Sequence, residues 1–226
     1  MSLEKYRLLV VKKINKEILC FSGGIDSVVA LHKLNFPQTI YVNMEHKYQN
    51  KEHNCIGALK KIIPQLKNII FFNGPELGQF EEGAKAYISK RNFHLALCAS
   101  HFGNHIYIIG NNEDIFDDNN KNAYNIMSLA MNETQSPKEP TITIESPFWD
   151  WSKTDIIEWF KENYEPDYVE NVLKTSKSCY NESTTGQCGA CESCRRKYIA
   201  LWEAGFTDCW KWFEQDIRKY KNDCFK

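Results

Sequence analysis

No apolar run in these 226 residues approaches the roughly 20 that a membrane-spanning helix needs. Met1 to Leu9 lacks the apolar core and small-residue cleavage site of a secretory leader, so a cytoplasmic protein with no membrane partner is expected. An excess of charge of one sign is missing as well. The 28 basic residues face 29 acidic ones for a net charge of -1, which leaves no broad basic footprint for a dedicated nucleic-acid binder. Internal repeats and low-complexity tracts are absent. What is present is a 42% hydrophobic fraction, enough at this length to bury one good core with a small appendage, and too short for a multidomain machine. Of the nine cysteines, four crowd between Cys179 and Cys194, while Cys20, Cys55, Cys98, Cys209 and Cys224 are scattered. That clustering favours a metal over a disulfide framework.

Apolar, β-branched runs recur at Glu17–Phe21, Thr39–Met44, Asn68–Phe72, His105–Ile109 and Thr141–Glu145, each short enough for a strand buried on both faces. Between them, Ile56, Leu59, Ile62 and Ile63 repeat at helical spacing, and Ser89 to Phe102 forms a largely apolar helical stretch. Alternation of strand and helix predicts an α/β fold with a doubly wound parallel sheet, whose ligands bind beyond the carboxyl ends of the strands. Asn111 to Pro140 is polar, rich in Asn and Asp, and reads as a long active-site loop or as partly disordered. Ser152 to Asp155 has the form of a capping box, with a helix to about Tyr164. Helical character returns from Cys191, where Tyr198, Leu201, Trp202, Trp210, Trp212 and Phe213 supply apolar faces. The expected division is an α/β domain over 1–165 and a C-terminal helical segment with a metal site over 166–226.

Ser22-Gly-Gly-Ile-Asp-Ser27 follows the first strand and precedes a helix containing Val28, Val29, Ala30 and Leu31. Glycines let backbone approach an anion, Ser22 and Ser27 add hydroxyl donors, and the helix start presents free N–H groups. The run is neither a Walker motif nor G-x-G-x-x-G. An ordinary serine-capped glycine turn is the plain alternative. The segment resembles the SGGxDS signature of PP-loop ATP pyrophosphatases, which implies a Rossmann-like fold and cleavage of ATP between its α and β phosphates. On that resemblance Ser22, Gly23, Gly24, Ile25, Asp26 and Ser27 bind ATP, and Asp26 helps to hold Mg²⁺, which prefers oxygen ligands. Lys153, at the start of the capped helix, then faces the phosphates. The catalytic pair implied is Asp26 and Lys153; taken alone, Lys153 would be a solvated surface lysine.

Cys179, Cys188, Cys191 and Cys194 are separated by eight, two and two residues, so the last three lie in overlapping C-x-x-C turns. Four thiolates suit tetrahedral Zn²⁺, whereas the bacterial ferredoxin run would need a cysteine at Tyr198 followed by proline. A closed site of four thiolates leaves no position for substrate, so the zinc is expected to be structural. The other cysteines read as small core residues.

Phosphate loop and cysteine knot together resemble the 7-cyano-7-deazaguanine synthase, or QueC, family. The likeness extends over Arg91-Asn92, Ile109-Gly110 with Asn112, Pro147, Lys153, and Ser178-Cys-Tyr180 leading into Cys188 to Arg195. It implies adenylation of 7-carboxy-7-deazaguanine, displacement of AMP by ammonia to give the amide, and a second ATP to dehydrate the amide to the nitrile. Arg91, Asn92, His46 and Asp114 form the substrate-binding set. Asp117 and Asp118 could, like Asp114, accept hydrogen bonds from a guanine-like edge, and His46 could be a base or a substrate contact. Two regions depart from the family. Met44-Glu-His-Lys47 replaces the usual Asp-Tyr-Gly-Gln, and the Tyr-Ser-Gly-Tyr-Pro-Asp-Cys segment is missing from the loop between Asp114 and Asn125. Related readings are an antiviral enzyme of the cyclic-oligonucleotide type that stops at the amide or joins the deazaguanine to a protein amine, and a tRNA sulfur transferase. A non-catalytic zinc-binding module comes from another class. The aromatic stretch from Trp202 to Phe213, with the family's habit of pairing, suggests a homodimer.

Overall fold

The computed structural model describes residues 16–220 apart from 83–86, 115–117, 178, 180, 182 and 184–186. Met1 to Leu9, Asp117, Ser178, Tyr180 and Cys224 therefore lie outside the described residues. The five apolar runs form strands β1 (Glu17–Cys20), β2 (Gln38–Asn43), β3 (Ile70–Asn73), β4 (His105–Tyr107) and β5 (Thr143–Glu145), with ends shifted by one or two residues from those expected. All pair in parallel, in the order β3-β2-β1-β4-β5. The helices are α1 (Ile25–Lys33), α2 (Gln49–Leu59), α3 (Arg91–Ser100), α4 (Lys121–Thr134), α5 (Lys153–Asn163), α6 (Pro166–Thr175) and α7 (Glu192–Glu203). Among the described residues no helix is long and apolar enough to cross a membrane.

Side chains alternate across a strand, so each central strand feeds two cores. Ile18, Ile40, Val42 and Ile106 join one apolar cluster with residues of α3 and α4. Leu19, Tyr41 and Tyr107 join the other, with α1, α2, α5, α6 and α7. Residues on both sides of the 165/166 boundary thus share one cluster. Phe206, Trp210, Trp212 and Phe213 pack into it too, so intrachain contacts account for much of the aromatic surface on which a dimer was expected. His32 ties three helices together inside this cluster. Its Nδ1 lies 2.8 Å from the Val28 carbonyl and its Nε2 2.8 Å from the Tyr168 hydroxyl, which fixes the Nδ1–H tautomer, and burial lowers its pKa.

Two expectations are corrected. The stretch from Asn111 to Pro140 contains a 14-residue helix, α4, rather than only loop. Tyr124, Met127 and Met131 are buried at helical spacing, and the Asn120 side chain caps the start by accepting from the Ala123 amide at 2.9 Å. Ile126 and Leu129 are apolar but exposed, and with the Asn- and Asp-rich run before the helix they conceal that period. The helix expected to include Ile62 and Ile63 ends at Leu59; Ile63 is still fully buried, held in the following turn.

The capping box is present: Ser152 accepts from the Asp155 amide at 3.0 Å while the Asp155 carboxylate accepts from the Ser152 amide at 2.7 Å. Ser152→Ala removes one side of this exchange and should lower the unfolding free energy by about 1 kcal/mol, measured as a shift in the urea midpoint at constant slope.

Candidate functional site

The sheet order reverses at β1 and β4, since β2 and β3 extend one edge and β4 and β5 the other. The loops leaving β1 and β4 consequently part, and a cavity of about 280 Å³ opens beyond the strand ends. Ser22, Gly24, Asp26 and Ser27 line it, as do Arg91, Asn92, His46 and Asp114. The phosphate-loop and substrate candidates therefore meet at one site.

Gly24 occupies the N-cap of α1 and has no side chain to satisfy the free amides of the first turn. Ser27 donates to the Gly24 carbonyl at 2.9 Å, and Ser22 Oγ lies 3.4 Å from both Ser27 Oγ and the Gly24 nitrogen. Gly23 sits at φ +80°, a conformation that favours glycine, and a Cβ there would stand 3.1 Å from Cys55 Sγ. The Gly23 carbonyl accepts from the Lys177 amide at 3.1 Å and the Cys55 thiol at 3.4 Å.

The capping box aims Lys153 inward rather than into solvent. Its Nζ lies 2.6 and 2.5 Å from the two Asp26 oxygens, with both side chains largely sheltered. Asn111, after β4, donates to Asp26 at 3.4 Å. Asp114 accepts from the Asn111 amide at 2.9 Å and from Asn119 Nδ2 at 2.7 Å. Burial, with the neighbouring Asp26 charge added, raises its pKa. Gly110 leaves no room for a side chain: a Cβ would meet the Trp149 ring at 2.6 Å and Asn119 Oδ1 at 2.8 Å.

On the β2 side, His46 is buried, with Nε2 3.0 Å from Glu52 Oε2; the same oxygen accepts from the Tyr41 hydroxyl at 2.6 Å. Burial and Glu52 together raise the Tyr41 pKa, so the hydroxyl is a donor. The His46 ring packs on Tyr48 with centroids 4.2 Å apart, and Arg91 donates to the Tyr48 hydroxyl at 3.0 Å. Asn92 is buried and donates to the Asp118 carbonyl at 3.3 Å. Cys20 also lines the cavity, but burial pushes its thiol up to about 12, which makes it a neutral wall group. Glu52, Tyr48 and Lys177 had no motif to announce them; only the fold brings them to the cavity.

The sulfurs of Cys179, Cys188, Cys191 and Cys194 lie within 4.8 Å of one another, with Cys191–Cys179 at 3.9 Å and Cys188–Cys194 at 4.0 Å. A tetrahedron with zinc–sulfur bonds of 2.3 Å has edges of about 3.8 Å. Amides of Ala190 and Cys191 point at Cys188 Sγ from 3.3 and 3.4 Å, as suits a thiolate. Crowding by neighbouring thiols raises the pKa of Cys179 and of Cys194, a cost that a bound cation reverses. The cluster could hold a metal ion such as zinc. Cys179 also lines the cavity, so this cluster adjoins the site.

The family model of queuosine biosynthesis protein QueC matches residues 73–205. A 7-cyano-7-deazaguanine synthase from Methanococcus aeolicus is 31% identical over 231 residues, covering 85% of this chain and 97% of its own length. The 7-cyano-7-deazaguanine synthase 1 of Desulfitobacterium hafniense is 27% identical over 84% of this chain and 93% of its own. A shorter match to the Methanocaldococcus jannaschii synthase reaches 39% over 75 residues, 32% of each chain.

Replacing Cys191 with serine should abolish metal retention and unfold the segment around α7, because a structural metal supplies folding free energy on the order of 10 kcal/mol in isolated modules. Elemental analysis of the unsubstituted protein should give one zinc per chain, and iron or no metal would contradict the assignment.

Proposed function

The chain belongs to the QueC family, and on that footing we propose that it is an ATP-dependent carbon–nitrogen ligase joining ammonia to 7-carboxy-7-deazaguanine. The observation that carries this reading is the convergence of Ser22, Gly24, Asp26, Ser27 and Arg91 on one cavity, with Lys153 paired to Asp26 behind its lining. A carboxylate resists nucleophiles because it is already anionic. Transfer to the α-phosphate of ATP releases pyrophosphate and leaves an acyl adenylate with a good leaving group. Ammonia displaces AMP, giving the amide and one proton. A second ATP then adenylates the amide oxygen with release of pyrophosphate and one N–H proton, and loss of AMP with the remaining N–H proton yields the nitrile.

In this scheme the protein positions reactants and stabilises charge. Free amides at the start of α1 and the hydroxyls of Ser22 and Ser27 receive the phosphates. Lys153, held by Asp26, offers its ammonium to the same group. Asp26, with Asp114 beside it, supplies the oxygen donors that Mg²⁺ prefers, and Mg²⁺ would neutralise phosphate charge there. Arg91 suits the substrate carboxylate. The carboxylate of Glu52, braced by Tyr41 and His46, complements the N–H donors of a guanine-like edge. Zn²⁺ fills the four-cysteine cluster in a structural role.

The test incubates the protein with ATP, Mg²⁺, ammonia and 7-carboxy-7-deazaguanine and reads small products and intact protein masses together. AMP, pyrophosphate and the nitrile are expected. The departure at Met44 to Lys47 makes two other products informative: a stalled amide, or a deazaguanine adduct on a protein amine, would move the chain to the antiviral reading. No AMP with this acid under any nitrogen donor would end the deazaguanine reading. Asp26→Ala and Ser22→Ala should each lower pyrophosphate release at least about 100-fold with the thermal midpoint retained, since they remove phosphate and metal contacts rather than core packing.

A further inference from the structure

We propose that Lys177 is a phosphate-binding residue of this site, the cation that holds the pyrophosphate end of the nucleotide before and after cleavage. The inference rests on the reading of the loop as an ATP pyrophosphatase site. It starts from the charge inventory of the cavity. Lys153 is neutralised by Asp26 at 2.5 Å, and Arg196 lies 3.7 Å from Glu113 and 3.9 Å from Asp114. Lys51 donates to the Asn181 carbonyl, and Arg91 is engaged by Tyr48. Lys177 lines the cavity and has no anionic partner among the described residues. A triphosphate brings several negative charges to a loop whose lysine is shared with Asp26, and a further cation directly beside the loop, with no ion pair among the described residues, helps to balance them.

Its placement is fixed from three directions. The Lys177 amide donates to the Gly23 carbonyl at 3.1 Å, which sets this residue directly against the phosphate loop. The preceding Ser176 is fully buried, with its amide on the Val172 carbonyl and its hydroxyl on the Leu173 carbonyl. The buried Lys197 ammonium clamps the same turn, donating to the Ser176 carbonyl at 2.5 Å and to the Leu173 carbonyl at 2.9 Å. Two residues later comes Cys179 of the four-cysteine cluster. Backbone held on both sides fixes where the side chain starts, so only its own rotamers remain to be ordered on binding. The cysteine segment thereby contributes a ligand-binding residue as well as a staple.

Lys177→Ala keeps the amide that bonds Gly23 and removes only the cation. With Mg²⁺ present, calorimetric titration should show inorganic pyrophosphate and ATP binding weakened by at least about tenfold, the lower end of what a charge-assisted hydrogen bond contributes. AMP, which lacks the β and γ phosphates, should bind within about twofold of the unsubstituted protein, and Lys177→Arg should restore most of the pyrophosphate affinity. Pyrophosphate affinity unchanged in Lys177→Ala overturns the proposal. Equal losses for AMP and pyrophosphate also overturn it, because they report a loosened loop rather than a lost contact. An unsubstituted protein that binds neither ATP nor pyrophosphate removes the ATP-site reading itself. These titrations contain no deazaguanine, so they stand whatever the acid substrate proves to be.

Discussion

A loop that turns its amides toward an anion must turn carbonyls the other way, and those carbonyls need donors once they are buried. In this chain the demand falls on Gly23, whose positive φ points its oxygen into the protein. The donors come from two places far apart in sequence, the Cys55 thiol of α2 and the Lys177 amide just beyond α6. Satisfying one carbonyl therefore fixes where α2 and the cysteine segment lie relative to β1. Cys55 serves because it is small and neutral; burial pushes its thiol up to about 11, so it remains a donor.

Electrostatics at the site follow from that arrangement. Lys153 and Asp26 meet across two helices, and Asn111 and Asp114 join from the loop after β4. The result is a mixed-sign network rather than a basic patch, consistent with the near-neutral composition of the whole chain. Positive charge at the site is concentrated at a few oriented groups, where a sheltered environment strengthens it more than a spread of surface lysines could.

Much of this was legible in the sequence because the decisive signals were local. Ser22 to Ser27 between a strand and a helix, the capping box before Lys153 and the clustered cysteines each state their geometry within a few residues. Lys153 was ambiguous until the fold showed Asp26 at its tip. Helix α4 is hard to read because an Asn- and Asp-rich run precedes it and its apolar residues are not confined to one face: Tyr124, Met127 and Met131 are buried while Ile126 and Leu129 are exposed. His46 was visible as a candidate, but not its brace, since nothing local links it to Tyr41 or Glu52 across α2 and β2. Lys177 carries no local signal in the sequence; its place depends on a contact with Gly23, more than 150 positions earlier, and long-range contacts leave no period to read.

Strand β1 is four residues long, and its Ile18 and Leu19 are each fully enclosed, one in each of the two apolar clusters. A breach of either cluster exposes the same strand, so the layers above and below the sheet cannot melt independently and should open as one cooperative unit. Amide protons of β1 would then be the last to exchange with solvent, reporting the global rather than a local opening. Only Phe21 separates this slowest-exchanging segment from the Ser22–Ser27 loop, so the loop's backbone donors are mounted on the stiffest part of the molecule.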